Sequence, residues 1–124
     1  MSRILVADDD LQQLDIRKQL LEVAGHEVAL AMDPAQTMQE VERGADLVIM
    51  DLRFPNSEGT PDSAEGLALI RSIRGAGSHV PVIVLSGWPD DLYGRPEEAM
   101  VSRVMVKPVQ SARLMEAIDA LAVR

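Results

Sequence analysis

The stretch Ile4-Leu5-Val6-Ala7-Asp8-Asp9-Asp10, an apolar run passing directly into acids, sets the pattern of the whole chain. The pattern returns as Leu47-Val48-Ile49-Met50-Asp51, as Val82-Ile83-Val84-Leu85-Ser86, and as Val104-Met105-Val106-Lys107. Short runs rich in Val and Ile alternate with longer segments of helical period, which predicts repeated strand-helix units and a parallel sheet. With parallel strands, the polar ends of all these runs share one rim. Carboxylates, a hydroxyl and an ammonium gathered there suit a metal ion and a phosphoryl group.

Between the runs, Asp10 caps a helix with Gln13 in a capping-box position, and Ile16, Leu20, Val23 and Ala24 fall on one face before Gly25 ends it. A second strand reads Glu27 to Ala31. Asp33-Pro34 with Gln36 then starts a helix that stops near Arg43 and Gly44. The third strand, Asp46 to Met50, precedes a long polar connection from Phe54 to Glu65, after which Gly66 opens a helix carrying Leu67, Ile70 and Ile73 and closed by Gly75 and Gly77. The fourth strand is Pro81 to Leu85. Pro89, Gly94 and Pro96 then leave room only for a short helix near Glu97 to Val101. Strand five, Arg103 to Val106, and a helix from Ser111 to Val123 with Leu114, Ala117, Ile118 and Leu121 on one face complete the chain.

Right-handed crossovers give an open, doubly wound α/β sheet of flavodoxin-like order 2-1-3-4-5, with helices on both faces and a short or irregular fourth helix. That order sets the first and third strands side by side where ligands bind, so Asp8, Asp9 and Asp51 share a pocket. Carboxylates about 4 Å apart repel by roughly 4 kcal/mol at an effective dielectric near 20, so the cluster calls for a cation or a raised pKa. Hard carboxylate oxygens favour Mg²⁺.

With 124 residues, 47% of them hydrophobic, the chain is expected to form one domain, residues 1–124. A net charge of -8 argues against binding nucleic acid through its phosphates. The absence of Cys excludes disulfides and thiolate metal sites, and the first apolar run is too short for a signal peptide or membrane span. A cytoplasmic protein with no membrane partner is expected. Asp33 reads as a helix cap, His26 and His79 as solvated turn residues, and the Met residues as core filling. Glu58, Asp62 and Glu65 read as loop surface. Trp88 and Tyr93 lie near the pocket mouth, free to contact a partner or to pack over the shortened helix.

The Asp8-Asp9 pair, Asp51 with Pro55 beyond it, Ser86, and Lys107-Pro108, in this order and at these strand ends, resemble the receiver domain of two-component response regulators over nearly the whole chain. The resemblance implies that Asp51 is phosphorylated by a histidine kinase or histidine phosphotransfer protein. It also implies that Asp9 binds Mg²⁺ directly with Asp8 helping through water, that Asp51 and the main-chain carbonyl of Arg53 are further ligands, and that Ser86 and Lys107 contact the phosphoryl group. The Lys107-Pro108 bond is expected to be cis. Such a domain is a phosphoacceptor rather than an enzyme, with intrinsic autodephosphorylation left open, and it controls a downstream protein or a tethered output domain.

Three features depart from the family pattern. Asn56 to Glu65 is an insertion beside the pocket, Val104 stands where an aromatic residue is usual, and the fourth unit lacks a regular helix. Two rival readings follow. A metal-dependent phosphohydrolase would use Asp51 as nucleophile, although Arg53 occupies the place of a second acid. A receiver-like interaction module would signal without phosphorylation. The chain ends just after its last helix, so an output segment is not expected within it.

Overall fold

The computed structural model describes residues 2–122. Its sheet strands are β1 (Arg3–Ala7), β2 (Glu27–Ala31), β3 (Leu47–Met50), β6 (Val82–Ser86) and β7 (Arg103–Val106). The helices are α1 (Leu11–Val23), α2 (Pro34–Arg43), α3 (Ser63–Gly75) and α4 (Ser111–Ala122), and a small antiparallel hairpin, β4 (Phe54–Pro55) with β5 (Pro61–Asp62), lies between β3 and α3 in the chain. The five-stranded sheet is all parallel in the order β2-β1-β3-β6-β7, which is the expected 2-1-3-4-5 arrangement.

Alternation along the strands divides the core in two. Leu5, Ala7, Val48, Met50, Val82 and Val84 pack with α2 and α3, while Ile4, Val6, Leu47, Ile49, Ile83 and Leu85 pack with α1 and α4. Burial on both faces is why these strands read as unbroken apolar runs. In α4, Leu114, Ala117 and Ile118 are buried as expected, and Val123 lies outside the described residues. Met50 is buried and Met38, Met100, Met105 and Met115 pack against the cores, whereas Met32 is exposed.

Helix α1 turns inward a different face from the one expected. Leu14 and Leu21 are buried, while Ile16 is 60% and Val23 89% exposed. Half-buried Arg17 and Lys18 lie between the two leucines on the inner stripe, so their charged heads conceal it from a count of apolar residues. The capping box also forms only in part. Asp10 accepts from the amides of Gln12 and Gln13, but its own amide donates to Asp8 Oδ1, and the Gln13 side chain accepts from Arg17. At α2 the cap is as expected, with Asp33 accepting from the Gln36 amide at 2.8 Å.

The polar connection after β3 is ordered. Asn56 Oδ1 accepts from the amides of Glu58 and Thr60 to close the hairpin turn. Asp62 caps α3 by accepting from the Ala64 amide at 2.9 Å, so the helix starts at Ser63, ahead of Gly66, and Asp62 is a cap rather than loose loop surface. The Gly66 amide donates to Leu52 O at 3.0 Å. A Cβ at Gly66 would meet that oxygen at 2.2 Å, and glycine alone permits the approach.

Two 3₁₀ turns, Pro89–Asp91 and Pro96–Met100, replace a regular helix in the fourth unit. Buried Leu92 anchors the segment, and polar clamps hold it on α3: Arg74 donates to the carbonyl of Met100 at 2.7 Å, and Arg71 pairs with Glu97. The Arg71 hydrogen bond keeps the Glu97 carboxyl below its ordinary pKa. His79 is exposed as expected, whereas His26 is half-buried and its Nδ1 has no hydrogen-bond partner among the described residues.

Candidate functional site

The register of the sheet brings the strand-end residues together. Ala7 lies opposite Met50 in the β1–β3 ladder, and the Asp51 amide donates to Ala7 O at 3.1 Å, which sets Asp51 beside Asp8 and Asp9. One oxygen from each of Asp8, Asp9 and Asp51 lies within 4.8 Å of the others. Lys107, delivered by β7, reaches Asp51 Oδ2 at 3.0 Å and Asp8 Oδ2 at 3.5 Å. Residues ninety-nine positions apart in the chain thus meet at one point. The Lys107-Pro108 peptide bond is cis.

The three carboxylates differ in environment. Asp8 is buried, with Oδ2 shared between Arg17 Nη1 at 3.0 Å and Lys107, and Oδ1 taken by the Asp10 amide. Asp51 is fixed from both sides, its Oδ1 by the amides of Leu52 at 2.7 Å and Arg53 at 3.3 Å and its Oδ2 by Lys107. Asp9 has no cation. Burial first, then the hydrogen bond and charge of Asp8, and then the charge of Asp51, raise its pKa above the ordinary carboxylate range. That unmet negative charge, on hard oxygens already spaced to converge, fits a divalent cation such as Mg²⁺.

Ser86 ends β6 on the same rim and is fully buried. Its carbonyl accepts from the Lys107 amide at 2.9 Å, and its Oγ accepts from the Trp88 amide at 3.0 Å. A hydroxyl that accepts one bond still has its proton to donate. Val104 pairs with Val84 and packs against the α2 and α3 side of the core, so the place of the usual aromatic residue is filled by an aliphatic one.

Two arrangements escaped the sequence. Arg17 enters the site from α1; its only signal was the Asp10, Gln13, Arg17 spacing, which places three polar residues on one side of the helix. The Arg53 side chain, expected only through its carbonyl, forks onto Asp91 at 2.9 and 3.3 Å and stacks on Trp88, its guanidinium carbon 3.8 Å from the ring centroid. Trp88 is therefore half-exposed and packed on a cation.

A doubly wound α/β signalling domain with an acidic, lysine-bearing pocket is the class that this fold and rim define. Comparison with known proteins makes it specific: residues 4–119 match the response regulator receiver domain, and the chain belongs to that family. It is similar to the transcriptional regulatory protein PrrA of Mycobacterium tuberculosis, with 31% identity over 96% of this chain and 49% of PrrA. It is also 33% identical to the sensory/regulatory protein RpfC of Xanthomonas campestris pv. campestris, over 98% of this chain and 16% of RpfC. The chain thus spans about half the length of the PrrA relatives it matches. Among solved structures, a response regulator receiver domain protein from Clostridium thermocellum superposes with a TM-score of 0.84 at 27% identity, covering 98% of this chain and 94% of that one. Response regulator TrrA from Thermotoga maritima, solved in complex with Mg(2+)-BeF, shares the fold at a TM-score of 0.83 and 24% identity, with 98% and 99% covered. Receiver domains are signalling domains rather than classical enzymes, and residues 4–119 are one. Among the described residues, no helix is long and apolar enough to cross a membrane.

Proposed function

We propose that Asp51 is the phosphoacceptor, receiving its phosphoryl group from a histidine kinase or histidine phosphotransfer protein. One observation carries the reading: Lys107 Nζ lies 3.0 Å from Asp51 Oδ2 at the edge of a three-carboxylate cluster. An Asp51 carboxylate oxygen attacks phosphorus, the bond from phosphorus to the donor histidine nitrogen breaks, and the electron pair leaves with the imidazole. Lys107 and the free Ser86 hydroxyl proton then hold phosphoryl oxygens. Asp8, Asp9, Asp51 and the Arg53 carbonyl would hold Mg²⁺, which when bound neutralises charge on the transferring group. The Mg(2+)-BeF complex of TrrA, a protein of the same fold, supports this assignment.

Hydrolysis of the aspartyl phosphate would reset the domain. Residues 1–124 then act as one cytoplasmic receiver unit whose output is a protein contact, with a separate partner or a tethered domain, and whose switching comes from unequal phosphate contacts in its two conformers. The phosphohydrolase alternative is weakened further because Arg53, tied to Asp91, gives the turn no acid to protonate a leaving group. Intact-mass measurement after treatment with acetyl phosphate tests the reading. A Mg²⁺-dependent gain of one phosphoryl group, abolished by Asp51→Asn, is expected; a gain that survives in the variant overturns it.

A further inference from the structure

We infer that Arg17 is a resident counter-ion of the acidic cluster, occupying Asp8 in competition with the divalent metal and holding metal affinity down. The inference rests on the Mg²⁺ reading above and concerns a residue outside the ligand set. Arg17 Nη1 is 3.0 Å from Asp8 Oδ2, its side chain is 11% exposed, and Gln13 Oε1 steadies the guanidinium at 3.3 Å. Asp8 is buried, and both of its oxygens already accept hydrogen bonds, Oδ2 from two cations. A metal drawing on Asp8, directly or through water, must share or displace the Arg17 contact. Arg17 also lines a cleft of about 440 Å³ with Ile16, Leu20, Lys107, Pro108 and Val109, which gives a displaced guanidinium room to swing outward. Among the described residues, the ion pair of Arg17 is with Asp8 and not with Asp9 or Asp51, so Asp8 is the carboxylate at which it meets the metal.

The charge of the side chain, rather than its bulk, sets the effect. A unit positive charge removed from within several ångströms of a divalent ion is worth about tenfold in affinity at near-aqueous screening. Isothermal titration calorimetry with MgCl₂, on wild type, Arg17→Leu, Arg17→Gln, Arg17→Lys and Asp9→Asn, decides the matter. Both neutral variants are expected to bind Mg²⁺ about tenfold more tightly than wild type, and Arg17→Lys within about twofold of it. Asp9→Asn is expected to lose binding. Neutral variants that bind no better than wild type, with Asp9→Asn still deficient, overturn the role of Arg17 and leave the metal site standing. Binding that Asp9→Asn does not weaken, or no binding by any of the proteins, overturns the metal site and this inference together.

Discussion

The two flanks of the acidic cluster handle positive charge in opposite ways. On the α1 and β7 side, Arg17 and Lys107 reach into the cluster and converge on Asp8. On the side built from the turn after β3, Arg53 is turned away, its guanidinium satisfied by Asp91 and covered by Trp88. The first flank therefore sets the charge that a phosphoryl group and a metal meet. The second is a neutral wall, whose side-chain charge is balanced before anything binds.

The largest effect is expected at the base of the second flank. Gly66→Ala drives a Cβ into the Leu52 carbonyl on which the wall is built, and should lower stability by about 3 kcal/mol in urea unfolding, as severe overpacking does. A loss under about 1 kcal/mol would mean that the turn moves freely and the flank is no rigid wall. Next, Lys107→Ala strips a cation from two poorly exposed carboxylates and should destabilise the metal-free protein by about 2 kcal/mol, part of it recovered on adding Mg²⁺. Equal loss with and without Mg²⁺ would break the distinction between the flanks. Asp91→Asn, which frees Arg53 at a partly exposed site, should lower stability by less than about 1 kcal/mol and shift the fluorescence of the single tryptophan, Trp88. An unchanged emission spectrum would show that Asp91 does not hold the stack.

The finest test is of pH. The Asp9 carboxyl has its folded pKa raised above its unfolded value of 3.8, so the native state binds that proton more tightly. In metal-free buffer its contribution to stability falls as pH rises from the unfolded value through the raised one, and it remains a deficit above that. Asp9→Asn should accordingly stabilise the protein at neutral pH, with the gain fading as pH drops toward 3.8. A gain that persists at low pH would assign the effect to packing instead of charge.

Much of this was legible in the linear chain because the signals are local. A parallel strand buried on both faces is an apolar run, a helix start is an Asp with an amide-bearing residue behind it, and β1, β3, β6 and α2 fall within a residue of where those signals place them. The same logic carried Asp8, Asp9, Asp51, Ser86 and Lys107 to one rim, since strand ends in a parallel sheet can lie nowhere else. Signals failed where polar atoms took over work usually done by apolar ones. Arg17 and Lys18 occupy the inner stripe of α1, and Asn56 and Asp62 fold a stretch that reads as loop, whereas the broken fourth unit was legible from Pro89, Gly94 and Pro96.

Sequence alone determined the order of the five sheet strands and the four long helices and the identity of the rim residues, because period and capping depend on neighbours a few positions away. Tertiary structure alone decided which cation faces which carboxylate. Arg17, Arg53 and Lys107 are alike in charge, and only the rotation of α1, the placement of the 3₁₀ turn at Pro89–Asp91 and the register of β7 direct one guanidinium into the cluster, turn the other onto Asp91 and bring the ammonium to Asp51.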